Sequence, residues 1–352
     1  MKDAMKIALT TSQAPFISGG AEFLAQNLKK ALIERGHEAE IVSIPFMDSP
    51  INLIEDHIVA ARLLDLNNTW AGKVDLCIGL KFPAYFMPCD NKVIWALHQH
   101  RAAYELFDTE FSNLKNTPDG NRMRQIVFNA DNLYLNEAKR IYTIAENVSK
   151  RMLKYNGIRS KALYHPCPDM EKFYCGESEN YLLMPSRINI TKRQRLAIEA
   201  LCHSKGDYKL YIVGKADNPY EKEQIVKFVK EHKLQDKVKF FDYVTQEEKF
   251  KLYANARAVL FIPLDEDYGY ITLEAMAASK AVITLEDSGG PLEFVVPNET
   301  GFVCKTEPEA IAQVMDKIMS DKELAIKMGK SSRQHLDDMN ITWDNVVKEL
   351  TR

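Results

Sequence analysis

Glu266 and Glu274 bracket the stretch Asp267-Tyr268-Gly269-Tyr270-Ile271, which follows the apolar run Ala258–Ile262. Gly269 lets the chain turn closely around a ligand, and a helix opening there aims the amides near Tyr270 and Ile271 at a phosphate. Glu274, on the first turns of that helix, offers two acceptor oxygens, enough for both hydroxyls of a ribose, while Glu266 in the loop reaches a sugar beyond the phosphates. Arg187 and Lys192 lie five residues apart after the run Leu182–Met184. A planar guanidinium fork and a compact ammonium converging on one loop suit a diphosphate. Three weaker signals accompany them. Gly19 and Gly20 precede an amphipathic stretch, where backbone amides approach an anion or simply turn. His98 opens His98-Gln99-His100-Arg101 after the run Val93–Leu97, as a functional group or as part of a capped strand end. Ser288-Gly289-Gly290-Pro291 leads to Glu293 as a further glycine-rich loop.

The triplet Asp265-Glu266-Asp267 also reads as a metal-binding acidic cluster. That reading belongs to a single-domain architecture, which two successive doubly wound halves contradict, so no metal is expected. His98 and His100 point opposite ways on a continuing strand and lack a third ligand nearby, which argues against a second metal site. The nicotinamide fingerprint G-x-G-x-x-G is absent, and Thr11–Ser18 is longer than the tight dinucleotide turn.

These residues need elements to position them. Short β-branched or aliphatic runs alternate with amphipathic stretches from end to end, the pattern of parallel sheets with crossover helices. The first half predicts strands at Lys6–Thr10, Glu40–Ile44, Asp75–Gly79, Val93–Leu97, Arg140–Ile144 and Lys161–Tyr164, with a clear helix over Ala21–Arg35. A polar, turn-rich stretch, Cys175–Asn180, reads as a linker. Beyond it the pattern restarts with strands at Leu182–Met184, Lys209–Val213, Val238–Phe241, Ala258–Ile262 and Ala281–Thr284. Nearly every candidate residue thus follows a strand, where open parallel sheets bind ligands. The reading is an α/β chain of two Rossmann-like domains, residues 1–174 and 175–334. Residues 335–352 form a C-terminal helix whose Trp343, Val346, Val347 and Leu350 recur at helical spacing and want an apolar surface.

Composition narrows the partners. With 352 residues and a formal net charge of -3, the chain fits two domains and lacks the basic footprint of a nucleic-acid binder. Six scattered cysteines without a C-x-x-C pair read as reduced thiols, which fits the cytoplasm. No apolar run reaches the length of a membrane span, and the N-terminal residues do not read as a signal peptide. Peripheral contact at the inner face of a membrane stays open.

In order along the chain, Gly19-Gly20-Ala21-Glu22, Arg187-x4-Lys192, Glu266-x7-Glu274, Gly289-Gly290-Pro291-Leu292-Glu293 and Asn298-Glu299-Thr300-Gly301 resemble the motifs of the retaining glycosyltransferases of family 4, the glycosyl transferases group 1, over nearly the whole chain. The resemblance implies the GT-B fold, two Rossmann-like domains facing a cleft with the C-terminal helix crossing back to the first. It implies a nucleotide-diphosphate sugar as donor, no separate cofactor, and a glycan, glycolipid or other hydroxyl acceptor. Arg187 and Lys192 then neutralise the diphosphate, Glu274 holds the ribose, Glu266 contacts the transferred sugar, and Gly19 and Gly20 lie beside the phosphates. His98 assists near the reacting carbon, and Val244 borders the base. Two departures stand out: Glu266-Asp267-Tyr268-Gly269 replaces the common E-G-F-G, and Tyr270-Ile271 the following L-P. The alternatives are a sugar-nucleotide epimerase of the same fold and a non-catalytic sugar-nucleotide binder.

Overall fold

A computed structural model describes residues 4–16, 19–115 and 117–352. The chain divides into two units, Met1–Pro168 with Thr342–Arg352, and Asp169–Ile341.

In the first unit a six-stranded sheet contains β1 (Lys6–Gln13), β2 (Glu38–Pro45), β5 (Leu76–Gly79), β6 (Lys92–Ala96), β7 (Arg140–Thr143) and β8 (Lys161–Ala162). A small antiparallel hairpin, β3 (Asn68–Thr69) with β4 (Gly72–Lys73), stands apart from it. The strand order is β2-β1-β5-β6-β7-β8, with parallel pairing at every step. Central β6 is buried along its whole length, as a strand must be when both faces of its sheet are covered. The helix Trp343–Thr351 completes this unit. The Trp343 ring stacks on His165 at 6.1 Å and meets Trp95 edge-on at 6.5 Å, and Arg140 donates to the carbonyls of Glu349 and Leu350.

The second unit's sheet contains β9 (Tyr181–Pro185), β10 (Lys209–Val213), β11 (Val238–Phe241), β12 (Ala258–Leu260), β13 (Ala281–Leu285) and β14 (Gly301–Cys304). All pairs are parallel in the order β11-β10-β9-β12-β13-β14. The unit begins at Asp169, ahead of the Cys175–Asn180 stretch, because Phe173 is buried within it, edge-on to Phe250 at 4.9 Å and Tyr253 at 5.3 Å. Residues 335–338 end the helix Lys322–Asp338 rather than starting the terminal one, which begins at Trp343. Among the described residues no helix is long and apolar enough to cross a membrane.

Three buried titratable groups in the first unit couple its stability to pH. His100 lies against Phe82 and Phe46, and burial pushes it down to about 4; burial pushes His165 down to about 3. Burial also pushes Asp131 up to about 6, against three donors, Tyr104, Gln99 and Tyr85, that favour its charged form. An imidazole with a depressed folded pKa contributes stability above its unfolded value of ~6.5 that is lost as pH falls through the folded value. Asp131 has the opposite sign, contributing below its unfolded value of ~3.9 and losing that contribution as pH rises through about 6. Two imidazoles outweigh one carboxyl, so the melting temperature should fall as pH drops from ~6.5 to ~4.5. His100→Phe should flatten that slope; a variant melting with the wild-type pH dependence would remove His100 from this account.

Candidate functional site

The order of strands in the second sheet reverses between β9 and β12, and ligands of open α/β sheets bind beyond the carboxyl ends of the strands at such a point. Arg187 and Lys192 follow β9, Glu266 and Gly269 follow β12, and Ser288–Gly290 follow β13. Backbone hydrogen bonds join the three loops. Leu264 N donates to Thr191 O at 2.7 Å, Asp265 N to Asp287 O at 2.9 Å, Glu266 N to Ser288 O at 2.9 Å and Gly290 N to Glu266 O at 2.7 Å. A bidentate pair, Arg193 to Asp287 at 2.7 and 2.6 Å, adds a side-chain clamp between the first loop and the third.

Within this frame Lys192 Nζ forms a close ion pair with Glu266 Oε2, both groups partly shielded from water. The cation assigned to phosphate and the carboxylate assigned to sugar are therefore neighbours. Arg187 stands apart from that pair, its guanidinium 59% exposed and donating to Asp217 Oδ1 at 2.9 Å. Asp217 also accepts from Asn189 at 2.9 Å, and Asn189 caps the turn that carries Lys192, accepting from its amide at 3.1 Å. One carboxylate from the loop after β10 thus anchors the whole basic segment.

The helix Tyr270–Ala277 begins at Gly269, which has φ of +92°, a left-handed conformation that side chains avoid. A Cβ there would also lie 3.0 Å from the Phe261 ring. The turn places Tyr270 and Ile271, both half-buried, at the start of the helix, where the first amides have no acceptor within the helix. The Tyr268 ring is buried, edge-on to Phe294 at 5.3 Å and Tyr270 at 5.7 Å, and supports the turn from inside.

The rest of this helix is apolar and buried, which makes Glu274, only 6% exposed, a charge that requires partners. Lys249 Nζ donates to Oε1 at 2.6 Å and Tyr253 OH to Oε2 at 2.5 Å, both from the helix Gln246–Asn255. Each carboxylate oxygen keeps a second lone pair, so acceptance from ribose hydroxyls remains chemically open. Val244 lines a side cavity of about 370 Å³ with Tyr211, Phe241 and Glu248.

In the first unit the helix Gly20–Glu34 follows Gly19, but the Gly19 amide donates to Glu22 Oε2 at 2.7 Å, and Lys81 pairs with Glu22 at 3.6 Å. A carboxylate of the chain itself sits where an external anion was expected; Ser18, beside it, lies outside the described residues. His98 follows β6 and is half-buried, with Nδ1 2.6 Å from Gln99 O. A carbonyl only accepts, so Nδ1 carries a proton. Gln99 donates to Asp131 at 2.8 Å and to Asn156 at 2.9 Å, which fixes the segment that carries His98. Among the described residues no three His, Cys, Asp or Glu side chains gather as a metal ligand set.

The family described as glycosyl transferases group 1 matches residues 169–335. The alpha-1,3/1,6-mannosyltransferase ALG2 of Dictyostelium discoideum is 28% identical over 179 residues, 46% of this chain and 42% of that protein. Its human counterpart is 29% identical over 170 residues, 45% and 41%. The chain thus spans about two-fifths of the length of these curated relatives. Among solved structures, the sucrose-phosphate synthase of Thermosynechococcus elongatus superposes with a TM-score of 0.78 at 16% identity, covering 99% of this chain and 97% of that one. Anabaena HepE, in complex with UDP and glucose, gives 0.71 at 16% identity over 99% and 98%. Identities that low speak for the fold alone, whereas the family match takes in almost all of Asp169–Ile341. The second unit belongs to the glycosyl transferases group 1, and the chain has the GT-B fold of the family 4 glycosyltransferases.

Proposed function

We propose that the chain is a retaining glycosyltransferase that moves a hexosyl-type sugar from a nucleotide-diphosphate donor to an acceptor hydroxyl in glycan or glycolipid assembly. The observation that carries this reading is the junction of loops after β9, β12 and β13, which sets Lys192 against Glu266 beside the helix opening at Gly269. In the reaction the bond from the sugar's anomeric carbon to the diphosphate oxygen breaks, and the acceptor oxygen bonds the same face. The acceptor's proton passes to the leaving diphosphate. Negative charge grows on that leaving group, and Arg187, Lys192 and the amides of Tyr270 and Ile271 oppose it with fixed positive ends, favouring the transition state over the bound donor. Glu274 holds the ribose, Glu266 orients the sugar, and His98 assists catalysis, so His98→Ala should lower kcat with the fold retained.

Cationic side chains do in this scheme what a divalent ion does in others. Turnover should therefore persist in excess EDTA; loss restored by manganese would return the triplet Asp265-Glu266-Asp267 to consideration as a metal site. The mannosyltransferase names of the relatives put GDP-mannose first among donors to assay, followed by UDP-sugars. Proton NMR of the first-formed product checks the anomeric configuration: an inverted anomer would overturn the retaining mechanism, and release of an altered free sugar without acceptor would favour an epimerase. Contact with a membrane surface is part of the same proposal where the acceptor is a glycolipid.

A further inference from the structure

Lys280 lies one residue before β13, and only 4% of it is exposed. With most of its side chain packed away from water, its ammonium gains by meeting an anion. Among the described residues no carboxylate pairs with it. Burial is the largest influence on it and holds its pKa below the ordinary lysine range, with Arg257 pushing the same way and only Cys175 opposing.

Lys280 lines a cavity of about 460 Å³ with Arg257, Lys322 and Lys330, and Glu177 is the one carboxylate in that lining. Arg257 Nε and Ser178 Oγ belong to residues of the lining but are themselves shut off from solvent, without a hydrogen-bond partner. Arg257 is held in place through its other nitrogens, Nη1 donating to Met319 O at 2.9 Å. The helix Lys322–Asp338 supplies the remaining cations, and Gly329 explains how it comes so close: a Cβ there would stand 2.0 Å from Ser279 O. Only glycine lets the helix rest on the Ser279–Lys280 turn.

Solvated surface cations are ordinary, but a lysine packed this deeply, in a cavity lined by three further cations and one carboxylate, is not. Arg257 and Lys280 directly precede β12 and β13, at the amino ends of the strands, whereas Lys192, Glu266 and Gly269 lie beyond the carboxyl ends. The cavity is therefore distinct from the donor site, and its volume falls in the ~300–1,000 Å³ range of small-ligand pockets. We propose that it is a second anion site that takes the phosphate or diphosphate group of a ligand. Lys280 supplies the inner charge, and Arg257, Lys322 and Lys330 the surrounding cations.

The test is calorimetric titration of the full chain with inorganic pyrophosphate at constant ionic strength, in an Arg187→Ala/Lys192→Ala background that removes the proposed donor contacts. Binding should persist in that background and weaken at least ~tenfold on adding Lys280→Met, the loss expected for one hydrogen bond to a charged group. Lys322→Ala/Lys330→Ala, which leaves Lys280 and the core in place, should weaken it as well and serves if Lys280→Met does not fold. Absence of binding in the background, or binding unchanged by both sets of substitutions, would overturn the site. Cosedimentation with phosphatidylcholine–phosphatidic acid vesicles separates the two sources of phosphate. Vesicle binding that requires Lys322 and Lys330 assigns a lipid headgroup, and pyrophosphate binding without vesicle binding a soluble ligand; either upholds the anion site.

Discussion

Arg187→Ala and Lys192→Ala are each expected to cut sugar transfer by ~10²–10³-fold, the usual cost of removing one donor aimed at charge that develops in a transition state. The two should differ in what else they change. The Arg187 guanidinium is mostly exposed and meets Asp217 at the surface, so its loss leaves no buried charge and should leave the melting temperature within about a degree or two of wild type. Lys192 is largely shielded and pairs with Glu266, so truncating it removes a partly buried ion pair and should also destabilise the fold by ~1–2 kcal/mol. Circular dichroism separates the catalytic from the folding effect. Saturating donor separates kcat from KM, and the larger loss should fall on kcat because both cations act on the leaving group. Near wild-type turnover in both variants would mean that the diphosphate is held elsewhere.

All eleven strands read from periodicity are present, and those covered on both faces, such as Lys92–Ala96 and Ala281–Leu285, need a continuous apolar run, which shows in the sequence without knowledge of its neighbours. The strand Gly301–Cys304 was not legible as one. It opens on a glycine, spans four residues and lies at the sheet edge, so its sequence carries too little alternation to stand out. The hairpin at Asn68–Lys73 was missed for a similar reason, each strand having two residues.

Site residues after strands were legible because topology sends them to one end of the sheet. Their partners were not. Asp217 serves Arg187 from 30 residues away, Asp287 serves Arg193 from 94, and Tyr253 serves Glu274 from 21. No local spacing links such pairs; only the strand order brings their loops and helices together. Tyr268 was likewise beyond local spacing: its aromatic ring is buried beside Phe294, which only the folded loop brings to it.

Glu274 is expected to serve both fold and ligand, and the two contributions can be separated. Glu274→Ala removes the acceptor of Lys249 and of the buried Tyr253 hydroxyl together, which should destabilise the chain by ~2–4 kcal/mol in urea unfolding. It should also weaken the nucleotide-sugar complex at least ~tenfold, since two ribose hydroxyls lose a charged acceptor. A drop in affinity alone does not distinguish these effects, because a loosened helix start also weakens binding. Glu274→Gln with Lys249→Met can. Gln keeps the shape and one acceptor for Tyr253, and Met removes the ammonium that would otherwise face an amide, so most of the lost stability should return. Donor affinity should stay low, because Gln is neutral and the ribose hydroxyls still lack a charged acceptor. Titration of the refolded double variant with the donor settles the role. Affinity restored together with stability would make Glu274 a structural residue only, and the ribose would then have to be held by another group of the second unit.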